Sequence, residues 1–230
     1  MDYADLLSLV QTRRSIRAFT DEPVSEEAVA QIIEAGRWAP SGANSQPWEF
    51  IVIRDQTTKD SMASVARDLM ELSHKAELTR PEELRWPSAA RPVTGDPAFK
   101  NAPVLILVCG DPRVSKSFPL LTYLERGQSH LVSGLAGSFL LMTLAATSLG
   151  LACHWASVVG HGYVSARLKD LLGIPEDYLI YDMLAVGHPA AEAKPRRVRE
   201  REDMTHYERY DSGKYRDDEQ IREWLISLRK

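Results

Sequence analysis

The sequence predicts a single α+β domain, and three observations lead there. Helical spacing of apolar residues recurs in five segments, whereas only three runs read as strands. The strands do not alternate with helices as they would in a doubly wound parallel sheet. No internal repeat or linker divides the 230 residues, a length that buries roughly 70–75% of the unfolded surface without a metal or disulfide staple.

Taken in order, a first helix is expected from Tyr3 to about Thr12. The second is marked at both ends. Pro23 and Ser25 precede it, Glu26 and Glu27 fill a first turn that favours negative charge, and Pro40 follows its end. Val29, Ile32, Ile33 and Gly36 fall at i, i+3, i+4 and i+7, which is one packed face. WEFIVIRD, 48–55, reads as a buried strand with a polar exit, and Met62, Val65, Ala66 and Leu69 resume helical spacing in a third helix. From about 73 to 101 the periodicity fails. Four prolines, many charges and Trp86 predict a lid, an insertion or a solvated excursion there. APVLILVCGD, 102–111, and LIYDMLAVGHP, 179–189, are two more buried strands. Ile221, Trp224, Leu225 and Leu228 mark a last helix within an extension covering about 202–230.

One stretch imitates a membrane span. Residues 128–166 contain no Asp, Glu, Lys or Arg, and Leu131 to Cys153 is about long enough to cross a bilayer. Ser133, Gly134, Gly137, Ser138, Thr143, Thr147, Ser148 and Gly150 interrupt it, and flanking aromatic belts are missing. It reads instead as a completely buried helix ending near Gly150, with no membrane involved. Its small residues at 133/137 and 134/138 share helix faces and admit a close backbone, from the same chain or from a second copy.

Composition excludes other classes. Lys plus Arg total 28 against 32 Asp plus Glu, a net charge of −4, which argues against a nucleic-acid partner. Eight of those 28 bases nevertheless form two knots, Arg13, Arg14 and Arg17, then Lys194, Arg196, Arg197, Arg199 and Arg201, a pattern suited to a small anion. Cys109 and Cys153 lie in apolar runs outside any CxxC or Cys/His cluster. No metal site is expected, and both read as reduced, buried thiols of a cytoplasmic protein. The N-terminus has acids where a signal peptide has bases.

Common catalytic signatures are missing. There is no GxGxxG after a strand, no GxxxxGK[ST] loop, no GxSxG elbow and no HExxH among the six histidines. His154 and His161 sit beside a glycine-rich turn, where a lone histidine reads as structural. Three segments remain. RRSIR at 13–17 offers arginine forks that match phosphate oxygens, and Arg13 and Arg17 share a face if the helix continues. PSGANSQPW at 40–48 is a proline-bracketed loop of hydrogen-bonding side chains. GLACHWASVVG at 150–160 is small and glycine-bounded, so a planar ring can lie against its amides.

Together these segments closely resemble the nitroreductase family of FMN-dependent oxidoreductases. The resemblance rests on RRSIR, APSGANSQPWEF, LGLACHW after an uncharged helix, LLGIP, AVGHP and the basic KPRRVRER, over roughly residues 6–200. It implies an α+β sandwich with a central, mostly antiparallel sheet flanked by helices. It also implies an intertwined homodimer with FMN at the subunit interface and the uncharged helix as its core. By the resemblance, Arg13, Arg14, Ser15 and Arg17 contact the FMN phosphate and ribityl chain. Pro40, Ser41, Gly42 and Asn44 serve the partner's flavin, Ala156, Ser157 and Val158 lie beside the flavin N5, and Arg197 is a late phosphate contact. Trp86, Phe99, Phe118 and Tyr123 are candidates for covering the flavin face on the substrate side. NAD(P)H is the expected donor, in a ping-pong reaction with nitroaromatics, quinones or enones.

Two departures from the family pattern open alternatives. WASVV replaces the glycines common after the tryptophan, and a hydroxyl at Ser157 resembles branches that perform reductive dehalogenation or flavin–oxygen chemistry. The 73–101 stretch does not present the acid, tyrosine and lysine with which deiodinases clamp an amino acid. A flavin-binding protein without turnover is a further alternative.

Overall fold

VLILVCG has no polar face, and the fold places it where none is needed. In the computed structural model, which describes residues 2–87, 89–193 and 196–228, β2 (Val104–Gly110) is buried along its entire length. It lies inside a four-stranded sheet with β1 (Trp48–Ile53), β4 (Leu179–Gly187) and β3 (Ala152–Ala156), in the order β1-β2-β4-β3. Every neighbouring pair is antiparallel, with an irregularity where Val108 pairs Asp182 and Cys109 pairs Ile180.

Side chains alternate across the strands, so each face of the sheet receives its own layer. Val104, Ile106 and Val108 of β2 face a core shared with α2 (Glu26–Arg37) and α4 (Leu120–Ser148), through Val29, Ile32, Leu135, Phe139 and Met142. Leu105, Leu107 and Cys109 face the opposite layer, built by α3 (Gln56–Glu77) and α5 (Gly162–Leu172) through Met62, Ala66, Val164 and Leu168. Helix α2 approaches α4 so closely that a Cβ on Gly36 would lie 2.7 Å from the Met142 side chain. The first helix, α1 (Tyr3–Thr12), has the expected bounds and begins with a capping box between Asp2 and Asp5. The fold is therefore an α+β sandwich with an open antiparallel sheet.

The chain divides into two compact units. The sheet and its helices belong to residues up to Leu69 and to Asp96–Ala193; Met70–Gly95 and the residues from Lys194 onward form the other. Within this second unit, α6 (Asp218–Ser227) starts with a capping box from Asp217 to Gln220, and Arg222 pairs with Glu83 at 2.6 Å.

Four sequence expectations need correction. Residues 152–156 form a fourth strand, β3, and 162–172 form α5, neither of which was anticipated as an element. Helix α3 continues to Glu77, so the irregular stretch starts several residues later than expected. Helix α4 starts at Leu120, well before the expected segment, and within this single chain Val132, Ser133 and Leu140 are exposed. Helix α4 is long and apolar enough to cross a membrane by length and composition, yet Leu131, Leu135, Phe139 and Met142 seat it on the sheet as a core helix.

Candidate functional site

Arg13 and Arg17 do not share a helix face. Arg13 ends α1 with extended backbone (φ −53°, ψ 125°), and the chain runs on as a strand-like arm. That arm lies along edge strand β3: Ser15 forms a parallel bridge with Cys153, and the Ile16 amide donates to the Cys153 carbonyl at 3.0 Å. One residue further, the Arg17 Nε donates to His154 Nε2 at 3.1 Å. The Arg14 guanidinium turns back onto the Gln11 and Arg13 carbonyls. Beyond the arm, the Thr20 amide and His188 carbonyl, and the Ala190 amide and Ala18 carbonyl, tie 18–20 to the end of β4. Two of the three predicted segments thus meet at one sheet edge.

The third segment packs elsewhere. Residues 40–47 lie against α4, where a Cβ on Gly134 would come within 3.3 Å of Ser41 and 3.6 Å of Pro47. The small face of the uncharged helix receives this chain's own loop. Phe118, 7% exposed, closes over Gly42 and meets His130 edge-on at 5.5 Å between ring centroids. Ala43, Asn44 and Gln46 have φ of 52°, 51° and 45°, left-handed values that asparagine tolerates but that cost residues such as Ala43 and Gln46 about 1–2 kcal/mol each. Ser41 Oγ accepts the Gln46 amide at 3.0 Å and closes the loop.

After β3 the chain makes a tight turn at Ser157–Gly160. Ala156 is buried, Val158 is half-buried and Ser157 is exposed. The turn rests on β4, since a Cβ on Gly160 would lie 2.7 Å from the Tyr181 carbonyl oxygen. Beneath it the Trp155 indole donates to Asp182 Oδ2 at 2.6 Å. Burial pushes the Asp182 carboxyl up to about 6, against the lowering effect of that hydrogen bond. His154 is pushed down to about 4 by burial and by the Arg17 charge. Burial raises the Cys109 and Cys153 thiols to about 12 and about 11, so both stay protonated at neutral pH.

The remaining candidates scatter. Phe99 is 1% exposed in the α3–α5 core, packed among Met62, Ala63 and Leu105, so it presents no face to a ligand and leaves the substrate set. Tyr123 lines an open cleft of about 690 Å³ with Ser115, Gly127 and Tyr178. Trp86 and Arg197 belong to the second unit, where Arg197 lies over the Trp224 ring at 5.1 Å. Lys194 of the second basic knot lies outside the described residues. No group of three or more His, Cys, Asp or Glu suited to a metal occurs among the described residues. Sequence reasoning did not bring His154, Trp155 and Asp182 together; the available signal was a polar residue in each of two otherwise apolar segments, His154 in ACHWA and Asp182 in LIYDMLAVG.

The fold is an open antiparallel sheet between two helical layers, with the cationic 13–17 arm and the Ser157–Gly160 turn at one sheet edge. Its sequence is matched by the model of the Nitroreductase family over residues 10–188, and the chain belongs to that family. An NADH dehydrogenase of Thermus thermophilus is 30% identical over 80% of this chain and 86% of its own. An iodotyrosine deiodinase of Nematostella vectensis is 25% identical over 83% of this chain and 69% of its own. A nitroreductase-type protein of Desulfovibrio desulfuricans, solved in complex with FMN, superposes with a TM-score of 0.64 at 28% identity, covering 90% and 98% of the two chains.

Proposed function

We propose that this chain is an FMN-dependent oxidoreductase that uses NAD(P)H to reduce small aromatic or conjugated acceptors, namely nitroaromatics, quinones and enones. The observation that carries this reading is the 13–17 arm, fixed to the edge of the sheet one strand residue before the Trp155–Gly160 segment. The donor set fits a phosphorylated flavin. Among the described residues neither Arg13 nor Arg17 pairs with a carboxylate, so their charges are available to a phosphate.

FMN supplies hydride acceptance and donation at N5, which lets donor and acceptor use one site in turn. The protein's part is binding and orientation. Arg13, Ser15 and Arg17 would hold the phosphate end, and the amides of 156–158 would lie beside the ring, where fixed dipoles stabilise developing negative charge. This division accounts for a site without an acid/base dyad. The loop at 40–44 and the exposed Val132 and Leu140 on α4 support a homodimer, in which one chain's loop serves its partner's flavin.

Ser157 supports a second reading, reductive dehalogenation or flavin–oxygen chemistry, because its hydroxyl is exposed at the start of the turn. The deiodinase relative is consistent with it. Oxidation of NADH and NADPH, measured with a nitroaromatic and with a quinone, separates the two. Turnover with either donor supports the first reading, and no turnover with both moves the weight to the second.

A further inference from the structure

His154 is a half-buried polar residue in an otherwise apolar edge strand. Its Nε2 accepts from Arg17 Nε at 3.1 Å. The acceptor at Nε2 places the proton of the neutral ring on Nδ1, yet Nδ1 is buried with no partner among the described residues. A buried N–H left unpaired lowers stability, so this imidazole is not accounted for by its contribution to the fold. What it offers is the acceptor. Neighbouring residues repeat the same tie, since Ile16 bonds the Cys153 carbonyl directly before Arg17 meets His154.

We propose that His154 is a positioning residue that grips the Nε edge of Arg17 and leaves the Nη1–Nη2 edge of the guanidinium directed at an anion. The assignment rests on the FMN reading, in which that anion is the flavin phosphate. Arg17 has no other side-chain hydrogen bond among the described residues. Without His154 it is a free rotor, and binding must then order it at the expense of affinity. The low proton affinity of the buried ring keeps Nε2 an acceptor through the neutral range.

The test is a set of titrations with FMN and with riboflavin. His154→Phe keeps a ring and removes the acceptor; His154→Gln carries an oxygen close to where Nε2 sits. We expect His154→Phe to weaken FMN binding about ten-fold, the scale of one oriented, charge-assisted hydrogen bond, with riboflavin affinity unchanged and thermal stability equal to or above that of the unmodified protein. His154→Gln should restore FMN affinity, and in an Arg17→Ala background His154→Phe should have no further effect. Equal FMN affinity in His154→Phe and the unmodified protein overturns the assignment. So does a loss of the same size in the Arg17→Ala background. Failure of the unmodified protein to take up FMN overturns the FMN reading instead. The His154 geometry is then judged by long-range ¹H–¹⁵N spectra of the ligand-free protein. A proton on Nδ1 supports the assignment, and a proton on Nε2 overturns it.

Discussion

The arm at 13–17 and the loop at 40–47 carry most of the proposed flavin contacts, and they are held in opposite ways. The arm is tied by hydrogen bonds to an edge strand, through Ile16–Cys153 and Arg17–His154. The loop is held mainly by shape, wedged between Phe118 and the Gly134 face of α4 with three residues at left-handed φ. Hydrogen bonds close it internally at Ser41–Gln46 and fasten only its end, where the Asp111 amide donates to the Pro47 carbonyl at 2.9 Å. The arm should therefore fail when an acceptor is removed, and the loop when volume is added.

Phe139, fully buried on α4, packs against Trp155 of β3 with 4.2 Å between ring centroids, so the helix that carries the loop meets the strand that carries the arm there. Phe139→Ala should lower the unfolding free energy by about 3–5 kcal/mol in denaturant titrations and weaken both regions together. A loss below about 1 kcal/mol would mean that the two are supported independently. Gly134→Leu attacks the loop alone: the new side chain meets Ser41 and Pro47, and overpacking should cost about 1–3 kcal/mol. Protease sensitivity should appear at 40–47 and not at 13–17; equal sensitivity in both would end the distinction.

The pH dependence separates the strands beneath. Between about 4 and about 6, folded Asp182 holds its proton more tightly than an unfolded aspartate with a pKa near 3.8. Its contribution therefore falls as pH rises through that window. Folded His154 releases its proton at about 4 rather than 6.5, so its contribution rises with pH between those values. The two oppose each other. Asp182→Asn should leave stability climbing with pH, and His154→Gln should leave it falling, each by roughly 1–2 kcal/mol across the window relative to the unmodified protein. Parallel curves for all three proteins would contradict the assignment. The smallest effect concerns loop strain. Ala43→Gly relieves a φ of 52° and should stabilise by about 0.5 kcal/mol, the strain less the added freedom of the unfolded glycine.

Legibility in the sequence followed the same line between local pattern and long-range contact. Helix α2 announced itself through Ser25, its acidic first turn and the Val29–Ile32–Gly36 face. Strand β2 could be read because burial on both faces leaves a continuous apolar run. Strand β3 could not: ACHWA is five residues long, mixes Cys, His and Trp, and owes its conformation to pairing with β4. Helix α5 left a fainter trace, Val164 and Leu168 four apart with Gly173 at its C-cap. RRSIR was legible as a cationic segment, whereas its partner at position 154 lies 137 residues away. Phe99 misled because an aromatic beside an irregular stretch looks available, and only the packed structure shows it enclosed.

The most direct test is FMN binding by the ligand-free protein, followed by the flavin absorption spectrum, for the unmodified chain and for Arg17→Ala. Tight, saturable uptake with a perturbed flavin spectrum, weakened about 100-fold by loss of one phosphate-directed arginine, is the predicted result. A chain that takes up no FMN, or one that binds it equally well without Arg17, would contradict the account.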